Sequence, residues 1–144
     1  MLTPSPACFS LIRESEGLRL TEYVDTSHHA IGYGHNLLPS EHYPKGITKS
    51  QAELLLQNDV KKAYAAVTQA VHVPLTQGMV DALTDFVYNE GSAAFGHSTL
   101  LKLLNAGHFQ AAADQFQFWV YSGGVVLPGL VIRRSRERAM FVHL

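Results

Sequence analysis

Cysteine, net charge and long apolar runs are all scarce in this chain of 144 residues. Cys8 is the only cysteine, which excludes an internal disulfide and a cysteine-based zinc site. Eleven basic residues face twelve acidic ones, and this near-neutral balance argues against a dedicated nucleic-acid binder. No apolar run approaches the ~20 residues of a membrane span, and the first ten residues do not resemble a secretion signal. We therefore expect a protein made in a reducing compartment, without nucleic acid as a partner and without a stable membrane anchor.

The composition that remains is globular. Hydrophobic residues make up 47% of the chain and charged residues 16%, which is enough apolar material to fill a core and argues against disorder. A length of 144 residues suits one domain, and we place it over residues 1–144.

The first third of the chain predicts one helix and a small sheet. Ser5 and Pro6 are typical of a helix start, and Gly17 of a stop, which predicts a helix over residues 6–16. Alternating apolar residues and glycines then predict a small antiparallel sheet within residues 18–38.

The rest of the chain is predicted to be helical. Thr48 and Gln51 form the pattern of a capping box, which begins a long helix over residues 49–71. Further helical patterns follow Thr76 and Ser98, and then occupy residues 109–121 and about 129–142. The predicted fold class is α+β, mostly α.

Two carboxylates flank the first predicted strand. Glu16 closes the first helix, which is electrostatically a poor place for a carboxylate, and Asp25 follows after eight intervening residues. Glycoside hydrolysis uses two carboxyl groups in unlike environments, one protonated and one ionised. The spacing alone does not separate this interpretation from that of two solvated surface residues.

Several segments, in the same order, make the chain resemble the phage-type lysozymes, the muramidase endolysins. The resemblance runs over about residues 9–142. It is carried by residues 16–20 with Tyr23 and Asp25, and by residues 31–35, 86–91, 95–101, 104–107, 119 and 127–138.

The resemblance implies a two-lobed, lysozyme-like fold and a bacteriolytic hydrolase. We expect a β lobe over about residues 12–58, a helical lobe over about 72–144 that includes helix 6–16, and a linking helix over 49–71. The implied substrate is the β-1,4 bond between N-acetylmuramic acid and N-acetylglucosamine in peptidoglycan glycan strands. Glu16 matches the general acid and Asp25 the second carboxylate of an inverting glycosidase without a cofactor or metal, and we expect it to act as a monomer.

The resemblance also suggests which residues face the sugar. Tyr88 could equally be a packing residue, and Trp119, which follows Phe116 at helical spacing, is interpreted as core rather than as a sugar platform. The implied substrate-binding residues are Asn36, Tyr88, Asn89, Ser98 and Gln115.

Two charged contacts are implied as well. His35 should pair with Asp59 of the long helix, and we expect this pairing to raise the pKa of His35. Arg134, with Arg133 as second choice, should reach the Glu16 carboxylate; the alternative is a solvated basic helix end. The arginines at 133, 134, 136 and 138 also suggest attraction to anionic surfaces.

One position departs from the family's pattern. Ala30 stands where the family has a threonine, in a turn one residue shorter than the pattern, so the hydroxyl that helps to hold water is missing. Activity could be weak or absent, Asp25 could hold the water without help, or His28 or His29 could supply the polar group.

Three functions therefore stay open. The first is an active muramidase, produced in the host cytoplasm and reaching the wall through a holin-type membrane lesion. The second is a glycan-binding protein of the same fold with little turnover. The third is a metal hydrolase using His28, His29, His35 and His42, although their spacing fits no standard metal motif.

Overall fold

The computed structural model describes residues 1–25 and 28–143. The N-terminal part combines one helix with a three-stranded antiparallel sheet in the order β1-β2-β3. The strands pair in register, Tyr23 with Ala30 and Ile31 with His35. The elements are α1 (Pro6–Glu16), β1 (Arg19–Asp25), β2 (His28–Gly32) and β3 (His35–Asn36).

Helices dominate the remainder, so the predicted α+β, mostly α class is confirmed. The long α2 begins at the predicted capping box, in which Thr48 and Gln51 satisfy each other's backbone N–H groups. The helices are α2 (Lys49–Ala70), α3 (Gln77–Glu90), α4 (Ser92–Gly96), α5 (Thr99–Asn105), α6 (Phe109–Gln115) and α7 (Pro128–Val142).

The helical prediction over residues 109–121 is wrong in its second half. The α-helix ends at Gln115, and a single 3₁₀ turn, Phe116–Phe118, follows it. A short hairpin, β4 (Tyr121–Ser122) and β5 (Val125–Val126), then precedes α7. Gly123 and Gly124 form its turn with φ of 57° and 79°, a left-handed conformation that favours a two-residue hairpin.

Two apolar clusters pack against successive stretches of α2, one along its first half and one along its second half. One joins α1 and the sheet to α2 and contains Cys8, Ile12 and Ile31. The other fills the helical part around Phe86 and Phe116. Because α2 contributes buried residues to both clusters, it joins the two lobes; the residue limits of each lobe stay a prediction.

Two core side chains bear on the sequence analysis, which interpreted Trp119 as a core residue and found Cys8 to be the single cysteine. Trp119 packs edge-on against Phe86, with 5.1 Å between ring centroids, so it is part of the helical core. Cys8 is buried, and burial raises the pKa of its thiol, which keeps it unreactive. Within residues 1–25 and 28–143, no helix has both the length and the apolar character needed to cross a membrane.

Candidate active site

Glu16 is the last residue of α1, and its carboxylate is held from the far end of the chain. Its Oε1 accepts a hydrogen bond of 2.6 Å from Nη1 of Arg133 in α7. The Glu16 side chain is 19% exposed. The charge of Arg133 thus offsets the unfavourable effect of the helix C-terminus on the Glu16 carboxylate, which is still partly exposed to solvent.

Gly34 lies directly against the same carboxylate. A Cβ placed on Gly34 would be 2.5 Å from Oε2 of Glu16, and its φ of 72° is in the left-handed region. The turn between β2 and β3 therefore approaches the carboxylate as closely as only a glycine permits.

The partner of Glu16 is Arg133 and not Arg134, the first choice from the sequence. Arg133 is itself held by Asp85 of α3, which accepts from Nε at 3.0 Å and from Nη2 at 2.8 Å. Burial alone would lower the pKa of Arg133, but its bonds and charges with Asp85 and Glu16 outweigh burial and raise that pKa. Arg133 is therefore a permanent cation in this site.

Arg134 points into a neighbouring group of side chains. It donates to the amide oxygen of Asn89 and lies 3.8 Å from Glu90. Its Nη1 is 3.1 Å from Oε1 of Glu137, which is fully buried, and burial raises the pKa of Glu137.

The arginine run is therefore not a free basic patch. Arg133 and Arg134 are buried, at 4% and 1% exposure. Arg136 pairs with Glu14 and Arg138 with Asp114, both over 2.8–2.9 Å. The expected attraction to anionic surfaces stays a prediction, and only the exposed Arg136 and Arg138 could contribute to it.

Asp25 lies on the same face of the sheet as Ala30, the residue that departs from the family's pattern. Tyr23 pairs with Ala30, Asp25 with His28, and Ala30 with Asn36. Directly paired residues, and residues two apart along a strand, share a face. A hydroxyl at position 30 would consequently point to the same side as Asp25; residues 26 and 27 lie outside the described part of the chain.

Tyr23 feels the charges of both carboxylates. Burial raises the pKa of the Tyr23 phenol, and the charges of Glu16 and Asp25 act in the same direction. Both carboxylates are therefore near enough to act on one side chain, and Arg19 stacks on its ring at 4.6 Å.

A cavity of about 480 Å³ opens between the sheet, α2 and the C-terminal end of α3. Gly34 connects it to Glu16, and of the predicted sugar-binding residues Asn36 and Tyr88 line it. The remaining lining residues are His35, Leu38, Glu41, Leu55, Asn58, Asp59, Lys62, Ala63, Val87, Gly91 and Ser92.

His35 forms a three-membered ionic group at the edge of this cavity. Its Nδ1 is 2.6 Å from Asp59, and its Nε2 is 3.1 Å from Glu41, a partner the sequence reasoning missed. The bond to Asp59 raises the pKa of His35 against the effect of burial, and Glu41 adds to the rise. The backbone N–H of Leu38 lowers the pKa of Glu41, and His35 contributes to this lowering.

Of the predicted sugar-binding residues, Tyr88 and Ser98 also make structural contacts. Tyr88 donates to the backbone oxygen of Tyr33 at 2.5 Å, which ties α3 to the sheet. Ser98 is buried and caps α5, because its hydroxyl accepts from the N–H of Leu101 at 3.0 Å. Gln115 is half-buried at the end of α6, outside the cavity lining.

The described residues offer no metal centre. Among residues 1–25 and 28–143, no group of three or more histidine, cysteine, aspartate or glutamate side chains is arranged to hold an ion. Sequence reasoning missed Asp85 and Gly34 as parts of the site. The signal available in the sequence for Asp85 was an aspartate among the apolar residues of α3, because a buried carboxylate needs a partner.

A β-bearing lobe and a helical lobe, with a carboxylate at the end of the first helix and a cleft beside the linking helix, define the lysozyme-like class of folds. Residues 13–137 match the family model described as phage lysozyme. The chain belongs to the phage lysozyme family.

Curated relatives are endolysins from several phages. The chain is 44% identical over 142 residues to the endolysin of Bacillus phage B103, covering 96% of this chain and 53% of that protein. It therefore spans about half the length of that relative and of the endolysin of Bacillus phage PZA. The endolysin of Salmonella phage P22 is 37% identical and matches over 91% of this chain and 92% of its own length.

Solved structures agree over the whole chain. The muramidase domain of SpmX from Asticaccaulis excentricus superposes with a TM-score of 0.89 at 34% identity and covers 100% of both chains. A variant of P22 lysozyme gives 0.82 at 33% identity, covering 99% of this chain and 100% of that one.

Proposed function

We propose that this protein is a muramidase that hydrolyses the β-1,4 bond between N-acetylmuramic acid and N-acetylglucosamine in peptidoglycan. The observation that carries the proposal is Glu16, a partly exposed carboxylate anchored by Arg133 and in contact with Gly34, which lines the cleft. Family membership and the endolysin relatives support the same substrate.

In the proposed reaction Glu16 donates a proton to the leaving glycosidic oxygen. Asp25 activates a water molecule that attacks the anomeric carbon from the opposite face, which inverts its configuration. The bond from carbon to the leaving oxygen breaks as the bond to water forms, and the proton of the water passes to Asp25. Asn36 and Tyr88 contact the glycan from the two sides of the cavity.

The first test is clearing of a suspension of permeabilised Gram-negative cells, with Glu16→Gln as the control. We expect clearing by the wild type and its loss in Glu16→Gln, because the amide cannot donate the proton. Proton NMR of freshly released reducing ends tests the stereochemistry, and inversion predicts that the α-anomer appears first. Binding to the wall without clearing would favour the alternative of a glycan-binding protein.

The feature that argues most against this proposal is Ala30, where the hydroxyl expected at the water site is missing. Since Ala30 and His28 share the face of Asp25, His28 is better placed than His29 to supply the polar group at the water site. We expect His28→Ala to lower the rate and Ala30→Thr to restore part of it. Full activity in both His28→Ala and His29→Ala would exclude a role for these imidazoles.

The proposed route to the wall is a membrane lesion opened by a separate holin-type protein. Cells that produce this chain should then stay intact until chloroform permeabilises the inner membrane, and lyse afterwards. Lysis without chloroform would contradict this route.

A further inference from the structure

Asp85 belongs to the site although it is buried and does not contact Glu16 directly. It lies on α3, is fully buried, and binds Nε and Nη2 of Arg133 on one edge of the guanidinium. This bidentate grip leaves Nη1, which points at Glu16 over 2.6 Å. The three residues form a line from the helical core to the carboxylate.

An arginine beside a general acid carries an electrostatic cost. A cation within a few ångströms of a carboxyl group favours its ionised form, whereas the proposed reaction needs Glu16 protonated. Asp85 supplies a negative charge on the same guanidinium and thereby offsets the cation.

We propose that Asp85 is a positioning residue that aims Arg133 at Glu16 and balances its charge, so that the guanidinium orients Glu16 without acting on it as an uncompensated cation. This inference rests on the muramidase function proposed above.

The other groups near Glu16 do not titrate in competition with it. Tyr23 of β1 and Tyr88 of α3 both face it, and burial raises the pKa of each phenol, so both stay neutral near neutral pH. Arg133 of α7 stays charged. Asp25 acts on Tyr23 as Glu16 does.

Three further groups face Asp85. Burial raises the pKa of Cys8 in α1 and of Glu137 in α7, and the charge of Asp85 adds to both effects. Glu137 also shares a side-chain hydrogen bond with Asp85, and Arg134 faces Asp85 from α7.

The test is the pH profile of kcat on soluble, uncrosslinked glycan strands for wild type and Asp85→Asn. With the guanidinium charge no longer offset, Glu16 loses its proton more readily, and we expect the alkaline limb to move to lower pH by about one unit. A lower rate with both limbs in place would overturn the charge-balancing role, since a purely structural defect does not move a limb.

Asp81→Asn is the matched control. Asp81 is also buried, one turn earlier on α3, but it binds the backbone N–H of Ser5 at 2.8 Å and the Ser5 hydroxyl at 2.5 Å. We expect this variant to lose stability and to keep the wild-type alkaline limb. A limb shifted equally in both variants would contradict the proposal.

The double variant Asp85→Asn/Arg133→Gln serves if Asp85→Asn does not fold, because it buries no unpaired charge. We expect the alkaline limb at its wild-type position and a kcat lowered by about tenfold or more at unchanged KM, since Glu16 is no longer aimed. Wild-type kcat in this variant would overturn the inference. An inactive wild type would overturn both proposals, whereas an active wild type with an inactive Glu16→Gln isolates failure of the inference alone.

Discussion

Glu16 and Gly34 show how a single residue constrains this site. The carboxylate sits on the Cα of Gly34, in space that any side chain would take. The left-handed φ of 72° is a second reason for glycine there. Steric exclusion and backbone conformation therefore both act at one position.

Gly34→Ala separates these two reasons. We expect a fall of at least about tenfold in kcat, because the methyl group displaces the Glu16 carboxylate. The left-handed backbone should cost about 1–2 kcal/mol of unfolding free energy. Glycan hydrolysis measures the fall in kcat, and urea unfolding measures the loss of unfolding free energy.

Gly107→Ala is the control for Gly34→Ala, since Gly107 has a φ of 82° and a methyl group added there would meet nothing within 4 Å. It should lose similar stability and keep its activity. An active Gly34→Ala would show that Glu16 has room to move.

At the scale of elements, α3 and α7 form the frame of the site. Asp85 lies on α3 and Arg133 on α7, so the distance between the two helices determines whether the Glu16 anchor exists. Gly78 permits the close approach: a Cβ there would lie 2.0 Å from the backbone oxygen of Met140.

We predict that Gly78→Ala is strongly destabilising, by about 3 kcal/mol or more, because the obstacle is backbone and cannot rotate away. Gly129→Ala in α7, where nothing lies within 4 Å, should be neutral or stabilising by about 0.5–1 kcal/mol. Urea unfolding of both variants measures the difference. Equal effects would show that the helices separate without cost.

At the scale of the whole molecule, His35 connects three parts of the chain. It lies in β3, binds Asp59 of α2 through Nδ1, and binds Glu41 of the following loop through Nε2. The same residues line the cavity. The sheet, the linking helix and one wall of the cleft are therefore held by one imidazolium.

Stability should depend on the charge of His35. Its pKa is raised in the fold, so its stabilisation is complete below about pH 6.5 and is lost as pH rises through the raised value. The lowered pKa of Glu41 has the opposite sign: its contribution is present above about pH 4.5 and is lost as pH falls through the lowered value. The ionic group is complete between these limits.

His35→Asn should therefore cost more unfolding free energy at pH 5.5 than at pH 9, by about 1.5–3 kcal/mol. Urea unfolding at both pH values measures this difference. His42→Asn is the control, because that side chain is 72% exposed and comes no nearer to Glu22 than 4.0 Å. The same cost at both pH values for His35→Asn would show that the imidazole is not ionised in the fold.

Much of the architecture follows from local signals in the sequence. Ser5 with Pro6 and Thr48 with Gln51 start helices where predicted, because a cap is satisfied by residues within one turn. The sheet follows from alternation of residue types, which needs no knowledge of distant contacts. The hairpin of residues 121–126 was not predicted from the sequence, because each of its strands has two residues, too few to show alternation.

The contacts that complete the site were settled by packing between distant segments. Arg133 and Arg134 are neighbours in sequence but point about 100° apart around α7, and the position of that helix against α3 selects Arg133 for Glu16. Glu41 joins His35, and Asp85 joins Arg133, across separate elements. Such pairs are chosen by burial, because a charge removed from water must find its partner wherever the fold brings one.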